Sequence, residues 1–505
     1  MHRETVKYAL WTLCVTLWGT LCFILPDFAD NPFEGLKGLM TLVVYIAACS
    51  IGSFFLLYLA GINKYVCAVV LPLYGAVGAV VSFYRHTFHV TVTPMIIDAA
   101  LHTNPEEAAG VVSWQLAAWV LFNTGTAVWL CRLRFTRIRL SYGWAHALAA
   151  LLLGVIYYNA NGRLRNSLNQ RYPYNIACNM HEYRSLQRSV STHRTVPPYR
   201  VTGLPDSVTV VVILGEAARA DHLQLNGYPR ATTPQLARRN NVVSYPYIYS
   251  EYTHTLASLP YILTRADSTD GDRRFTETSF VTVMRKEGFA TAWISNQDMG
   301  STFAPFISEC DTSVFVNAGK STYVFSPWLD EDLLPVLDAM ETHPSARNLY
   351  ILHTIGSHWY YNNHVPQMQY FFRPVTGNRL VVNNSIEQIV NSYDNTIRYM
   401  DSIVDAVIAR FVDKKAVVLY QADHSEALGE DGEFLHANET EYAKHPACVI
   451  WYSDKYASAF PDKVQALHAN RQKRYRTDYF YYSVLSAAGI EADGCSAAVD
   501  IFSAE

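Results

Sequence analysis

Five apolar stretches occupy most of the first 158 residues: Tyr8–Leu25, Leu39–Gly61, Tyr65–Tyr84, Val111–Cys131 and Tyr142–Tyr158. A helix needs roughly 20 apolar residues, and no fewer than about 17, to cross the hydrocarbon core of a bilayer. Five such stretches with almost no charged face exclude a chain that folds in water alone, and a membrane domain is expected over residues 1–158. Charged residues, 17% of the 505-residue chain, become ordinary in frequency only after about residue 160. A linker with an interfacial helix is expected over 159–205, where NGRLRNSLNQRYPYN has an amphipathic look, and a second domain over 206–505.

The loops set an expected orientation. Arg3 and Lys7 precede the first stretch, Lys64 lies in the second loop, and Arg132, Arg134, Arg137 and Arg139 fill the fourth. The first loop carries Asp27, Asp30 and Glu34 against Lys37, and the third offsets Arg85 with Asp98, Glu106 and Glu107. Basic loops stay cytoplasmic, so the N-terminus is expected in the cytoplasm and, after five crossings, everything beyond Asn159 on the opposite side. Pro26-Asp27-Phe28 makes a poor cleavage site, so the first stretch reads as a signal anchor. Five of the nine cysteines lie in or at the spans, and Cys178, Cys310, Cys448 and Cys495 are scattered without CxxC spacing. Disulfides among these four are compatible with an oxidising compartment, with no pairing specified. The net charge of −4 is neutral as to partners.

In the second domain four β-rich apolar runs each end in polar residues. Val208–Leu214 ends at Glu216, FATAWISNQD at Asn296, Gln297 and Asp298, NLYILHTIGSH at His353 and His358, and AVVLYQADHSE at Asp423, His424 and Glu426. Helical periodicity intervenes, as in the Ile386, Ile389, Tyr393, Ile397, Met400, Ile403, Val404 and Val407 stripe of Ser385–Phe411. Strands alternating with helices predict an α/β fold with a largely parallel sheet covered on both faces. Such sheets bind ligands at the carboxyl ends of their strands.

Glu216, Asp423 and His424 have the composition of an open zinc site. Adjacent on a strand, Asp423 and His424 would point to opposite faces; just past the strand end a turn could make them converge. In YTHTLASLPYIL, Thr255 stands where a loop enters a helix, whose free N–H groups suit a phosphate. By itself such a threonine is an N-cap; beside a metal its hydroxyl becomes a competent nucleophile.

The motifs GEAARADHLQLNGYPRATTP, TLASLP, HTIGSH, NSYDNTIRYMD and ADHSEALGEDGEFLH occur in this order. The set resembles the signatures of the phosphoethanolamine transferases that modify lipid A and lipopolysaccharide core, members of the alkaline phosphatase and sulfatase superfamily. MIIDAALHTNPEEAAGVVS resembles their periplasmic NxxxTDxxEA stretch, and the five-span layout matches. The resemblance implies five transmembrane helices plus an α/β domain of alkaline phosphatase type with a doubly wound mixed sheet. It implies a catalytic zinc on Glu216, Thr255, Asp423 and His424, with Thr255 as the nucleophile that carries phosphoethanolamine. His358 and His436 would hold the phosphate or a second zinc, and Asn296 and His353 would line the donor headgroup. The donor would be phosphatidylethanolamine and the acceptor lipid A or lipopolysaccharide core. The protein is expected to be a monomer in the bacterial inner membrane, its catalytic domain periplasmic, with no nucleic-acid partner.

FHVTVTPMIIDAALHTN could lie in the membrane interface and guide lipid. Three departures from the family pattern appear. Glu251 and Tyr261 stand where lipid A-type members place a disulfide around the nucleophile, FFRPVTGNRLVV replaces a cysteine-rich insertion, and Ser425 replaces a glycine. Two other readings remain at this point: a phosphoglycerol transferase acting on phosphatidylglycerol, and a membrane sensor with a degenerate sulfatase domain.

Overall fold

A computed structural model describes residues 2–28, 35–88, 91–94, 96–97, 113–190, 194–300, 302–317, 320, 327–378, 381–436 and 440–504. The chain divides into two compact units, one holding residues 1–184 and the other 185–317 with 327–505. Most of the interfacial stretch expected over 88–104, and the NxxxTDxxEA-like segment, lie outside the described residues.

The first unit is helical: α1 (His2–Gly19, continued by a π turn to Ile24), α2 (Gly35–Ile62), α3 (Lys64–Phe88), α4 (Trp114–Arg137) and α5 (Gly143–Asn159). Among the described residues four helices are long and apolar enough to cross a membrane: Arg3–Ile24, Gly35–Ile62, Lys64–Thr87 and Trp114–Arg137. This corrects the expected count of five. The fifth stretch does form α5, but its 17 residues, rising about 26 Å at 1.5 Å each, stand at the lower limit of a crossing, whereas the other four run to 22 residues or more. The expected placement of the two termini on opposite sides rested on that crossing.

Polar contacts within this unit join helices distant in sequence. The Arg134 guanidinium donates to the carbonyls of Gly61, Ile62 and Ile138 at 2.8, 2.8 and 2.9 Å, closing the C-terminal end of α2 where carbonyls lack helical partners. Trp18 Nε1 donates to Asn123 Oδ1 at 3.1 Å, joining α1 to α4. Part of the stretch read as a linker belongs here: it forms α6 (Gly162–Asn169) and α7 (Tyr174–Val190), the latter up to Arg184, and the hydroxyls of Tyr172 and Tyr174 donate to the carbonyls of Tyr74 and Gly52.

The second unit is built on a seven-stranded sheet. Its strands are β1 (Val208–Gly215), β2 (Val242–Tyr245), β3 (Ala290–Ser295), β4 (Thr312–Phe315), β5 (Arg347–His353), β6 (Ala416–Ala422) and β7 (Cys448–Tyr452). The order across the sheet is β2-β7-β6-β1-β5-β3-β4. From β6 to β4 the neighbours are parallel, and β7 runs antiparallel to both β6 and β2. Every residue of β1 and β6 is buried, which is why both read as unbroken apolar runs rather than alternating ones.

Alternate residues of β1 serve two cores. Val208, Val210, Val212 and Leu214 pack with α8 (Thr255–Leu263), α9 (Phe280–Lys286) and α12 (Tyr479–Ala487) through Ile262, Phe280, Met284 and Phe480. Val211 and Ile213 pack with α10 (Leu333–Met340) and α11 (Ile386–Ala409) through Leu337, Ile389, Tyr393, Ile397 and Val404. From Ile389 onward the helical stripe of α11 is therefore the inner cover of one face, while Ile386 is exposed in the first turn, which a capping box between Ser385 and Gln388 opens. Register aligns the strand ends: Leu214 lies opposite His353 and Gln421, and Gly215 opposite Ala422. The polar residues after these strands accordingly emerge on one rim.

Candidate metal centre and nucleophile

Glu216 is held at the rim by its neighbours' lack of room. A Cβ at Gly215 would stand 2.2 Å from the Tyr420 hydroxyl, and one at Gly356 (φ 48°) would stand 2.8 Å from the Glu216 carbonyl oxygen. Only glycine permits both approaches. Ala217 adopts φ 54°, in the left-handed region, and turns the chain sharply. The Glu216 carboxylate ends fully buried.

Asp423 and His424 follow β6 immediately. The Asp423 N–H donates to the Gly215 carbonyl at 3.0 Å, while Asp423 Oδ1 accepts from the N–H groups of Ala217 at 3.2 Å and His424 at 2.8 Å. Being past the strand frees the pair from its alternation, and both side chains turn toward Glu216. His424 Nε2 lies 3.3 Å from Glu216 Oε1 and 3.4 Å from Asp423 Oδ2. All three atoms are buried, and none has a hydrogen-bond partner.

Buried polar atoms are nearly always hydrogen-bonded, and leaving them unpaired is costly. Three that face one another, two carboxylate oxygens and an imidazole nitrogen, have the chemistry to hold a divalent cation. Glu216, His424 and His436 also offer ligand atoms all within 4.8 Å of one another. The electrostatics agree. Burial would push His424 down, but Asp423 and Glu216 raise it to about 10. Burial and then the charge of Glu216 raise Asp423 to about 6. Burial opposes ionisation of Glu216 as well, yet His424 holds it below the usual carboxylate range. The cluster demands a positive charge at its centre, which a metal or a proton on His424 supplies.

Thr255 opens α8, with His254 in extended conformation as the N-cap. The threonine is thus the first helical residue, half-buried, and its hydroxyl donates to Glu216 Oε2 at 2.8 Å. One carboxylate touches both the orphaned cluster and the hydroxyl.

The remaining expected residues separate into two groups. His358, His424 and His436 form a continuous run of imidazoles, with ring centroids 5.4 Å apart for His358–His436 and 4.7 Å for His424–His436. Burial pushes the His358 imidazole down from its ordinary value. His353 and Asn296 lie deeper. The His353 ring meets Trp293 and Phe303 edge-on, and burial pushes it down to about 4. Asn296 is fully buried, donates to the Leu329 carbonyl and Asp330 Oδ1, and accepts from Trp328 Nε1. Its amide is spent on the loop that Asp330 ties to the N–H groups of Ile355 and Gly356.

Two residues at the site carry no role in the sequence reading. Gln297 Nε2 donates to Glu216 Oε2 at 3.0 Å. Glu426, fully buried, accepts from the Tyr361 hydroxyl at 3.0 Å and lies 3.3 Å from His436 Nδ1. Each stands within two residues of an assigned one at a strand end, and that adjacency was the available signal.

Comparison with known proteins follows the same division of the chain. Residues 208–490 match the Sulfatase family, and residues 47–161 match the family described as phosphoethanolamine transferase EptA/EptB. The phosphoethanolamine transferase EptA of Salmonella typhimurium strain LT2 is 26% identical over 99% of this chain and 97% of its own length. The Kdo(2)-lipid A phosphoethanolamine 7''-transferase of Escherichia coli K12 is 27% identical over 84% of this chain and 82% of its own. The solved integral membrane lipooligosaccharide phosphoethanolamine transferase A of Neisseria meningitidis shares the fold, with TM-score 0.53 and 24% identity over 97% of this chain and 98% of its own. With its motifs in order on a sulfatase-type sheet that follows the apolar helices in sequence, the chain belongs to the phosphoethanolamine transferase family of the alkaline phosphatase and sulfatase superfamily.

Proposed function

We propose that the protein transfers phosphoethanolamine from phosphatidylethanolamine to lipid A or another lipopolysaccharide acceptor through a covalent intermediate on Thr255. The observation that carries this reading is the meeting of three unpartnered buried donor atoms, on Glu216, Asp423 and His424, beside a threonine hydroxyl at a helix N-terminus. The set of carboxylates, imidazole and hydroxyl suits zinc. A zinc ion held there would lower the pKa of the Thr255 hydroxyl and neutralise charge building on the phosphoryl oxygens.

The residues perform the rest. Thr255 Oγ1 attacks the phosphorus of the lipid, and the bond from phosphorus to the diacylglycerol oxygen breaks. The hydroxyl proton points at Glu216 Oε2, and the departing diacylglycerol oxygen gains one, so none is consumed overall. N–H groups of the first turn of α8 are placed to donate to the phosphate, while His358, whose Nδ1 donates to the Trp359 carbonyl at 2.6 Å, keeps Nε2 as a lone-pair ligand atom rather than a donor. An acceptor hydroxyl or phosphate then attacks the same phosphorus and restores Thr255, a ping-pong cycle. Support for the acceptor class comes from the relative that acts on Kdo(2)-lipid A.

Purified full-length protein, given phosphatidylethanolamine with a fluorescent headgroup and zinc, is expected to release diacylglycerol. Without acceptor, the labelled headgroup phosphate should appear on Thr255 by mass spectrometry, and Thr255→Ala should show neither. Undiminished release by Thr255→Ala overturns the mechanism.

A further inference from the structure

Two donors converge on one oxygen of Glu216. Thr255 Oγ1 reaches Oε2 at 2.8 Å and Gln297 Nε2 reaches the same atom at 3.0 Å. Oε1 has no hydrogen-bond partner and faces His424 Nε2 at 3.3 Å. The carboxylate is thus split into a saturated oxygen and a free one. Gln297 is itself held from behind: its Nε2 also donates to the Thr354 carbonyl at 2.7 Å. Thr354 in turn donates through both its N–H and its hydroxyl to the Leu214 carbonyl, at 3.0 Å each. The loop end is closed by Ser295, whose hydroxyl donates to the Gln297 carbonyl at 3.0 Å. A chain of short contacts therefore runs from the end of β3, across the end of β5, to the carboxylate.

We propose that Gln297 is a positioning residue that, with Thr255, saturates Glu216 Oε2, so that the carboxylate offers a metal Oε1 alone. This inference rests on the metal-assisted reading above. Without Gln297, Oε2 has one donor instead of two and is free to rotate toward the cation. A carboxylate gripping through both oxygens would take the coordination position meant for the threonine and withdraw the acceptor that aims its hydroxyl. One amide thereby sets both how the metal is held and where the nucleophile points.

Gln297→Met keeps the length of the side chain and removes both N–H donors. In full-length protein, loss of an outer hydrogen bond to a metal ligand is expected to weaken zinc binding by about 10- to 100-fold, measured by chelator competition. The turnover number should fall while KM for phosphatidylethanolamine stays near that of the wild type, and the melting temperature of the metal-free protein should stay close to the parent's. Gln297→Asn, too short to reach both partners, should behave alike and serves if the methionine variant folds poorly. Equal zinc affinity in the wild type and both variants overturns the role, as does a loss of affinity accompanied by a comparable fall in the melting temperature of the metal-free fold. A wild type that binds no zinc overturns the underlying reading too, and it is recognised by the failure of the parent protein rather than of the variants.

Discussion

At the scale of single residues, the site is defined by which buried polar atoms are satisfied and which are not. Asp330 is an example of the first kind, its carboxylate accepting from Asn296, Ile355 and Gly356 and so holding two rim loops together. Glu216 Oε1, Asp423 Oδ2 and His424 Nε2 are of the second kind. His353 supplies a test of burial. Its pKa falls from 6.5 to about 4 because the folded protein keeps the imidazole out of water. Between these values the unfolded chain binds a proton that the folded chain refuses, so stability rises with pH across the window. It is lost progressively as pH drops from about 6.5 toward 4. Thermal unfolding of wild type and His353→Gln, followed from pH 7 to pH 4.5, should show the steeper acid decline in the wild type. Parallel declines would mean that the buried imidazole is not what titrates.

At the scale of elements, the loop leading into α8 is fixed without a disulfide. All nine cysteines are free thiols. Glu251, at one position where a bridge could have stood, pairs with Arg476. Tyr261, at the other, accepts hydrogen bonds from the Tyr252 hydroxyl at 3.0 Å and Arg274 Nη1 at 2.6 Å. The Tyr252 carbonyl accepts from Ser250 and Ser258, on either side of Thr255. Activity should therefore be indifferent to dithiothreitol, while Tyr261→Phe, which loses the bridging hydroxyl, should lower turnover several-fold; a reductant-sensitive enzyme would contradict this account. The same loop shows what sequence could reveal. Residues at strand ends, Glu216 and the Asp423–His424 pair, were legible because buried β runs stop abruptly at polar groups. The sheet was legible from the same runs. Gln297 and Asn296 were not separable, since both follow β3 and only the turn decides which amide faces the rim. The fifth apolar stretch was legible as a helix, α5 (Gly143–Asn159) lying within one residue of the expected Tyr142–Tyr158, and what composition left open was whether 17 residues suffice for a crossing.

At the scale of the whole molecule, one chain carries, among the described residues, four helices long and apolar enough to cross a bilayer, and a sulfatase-type unit whose proposed donor and acceptor are both lipids. An enzyme anchored in the surface that holds its substrates meets them at a concentration set by their share of that surface, not by the volume of the sample. This gives a prediction specific to the anchored form. With full-length protein reconstituted in vesicles, diluting phosphatidylethanolamine with phosphatidylcholine at constant total lipid should slow diacylglycerol release in proportion to its mole fraction below saturation. Adding more vesicles of the same composition, free of enzyme, should leave the rate nearly unchanged. A water-soluble, short-chain phosphatidylethanolamine should behave oppositely and follow bulk concentration. If the rate tracked bulk lipid for the long-chain donor as well, lipid would be reaching Thr255 from solution, and the apolar helices would hold the protein at the membrane without delivering its substrate.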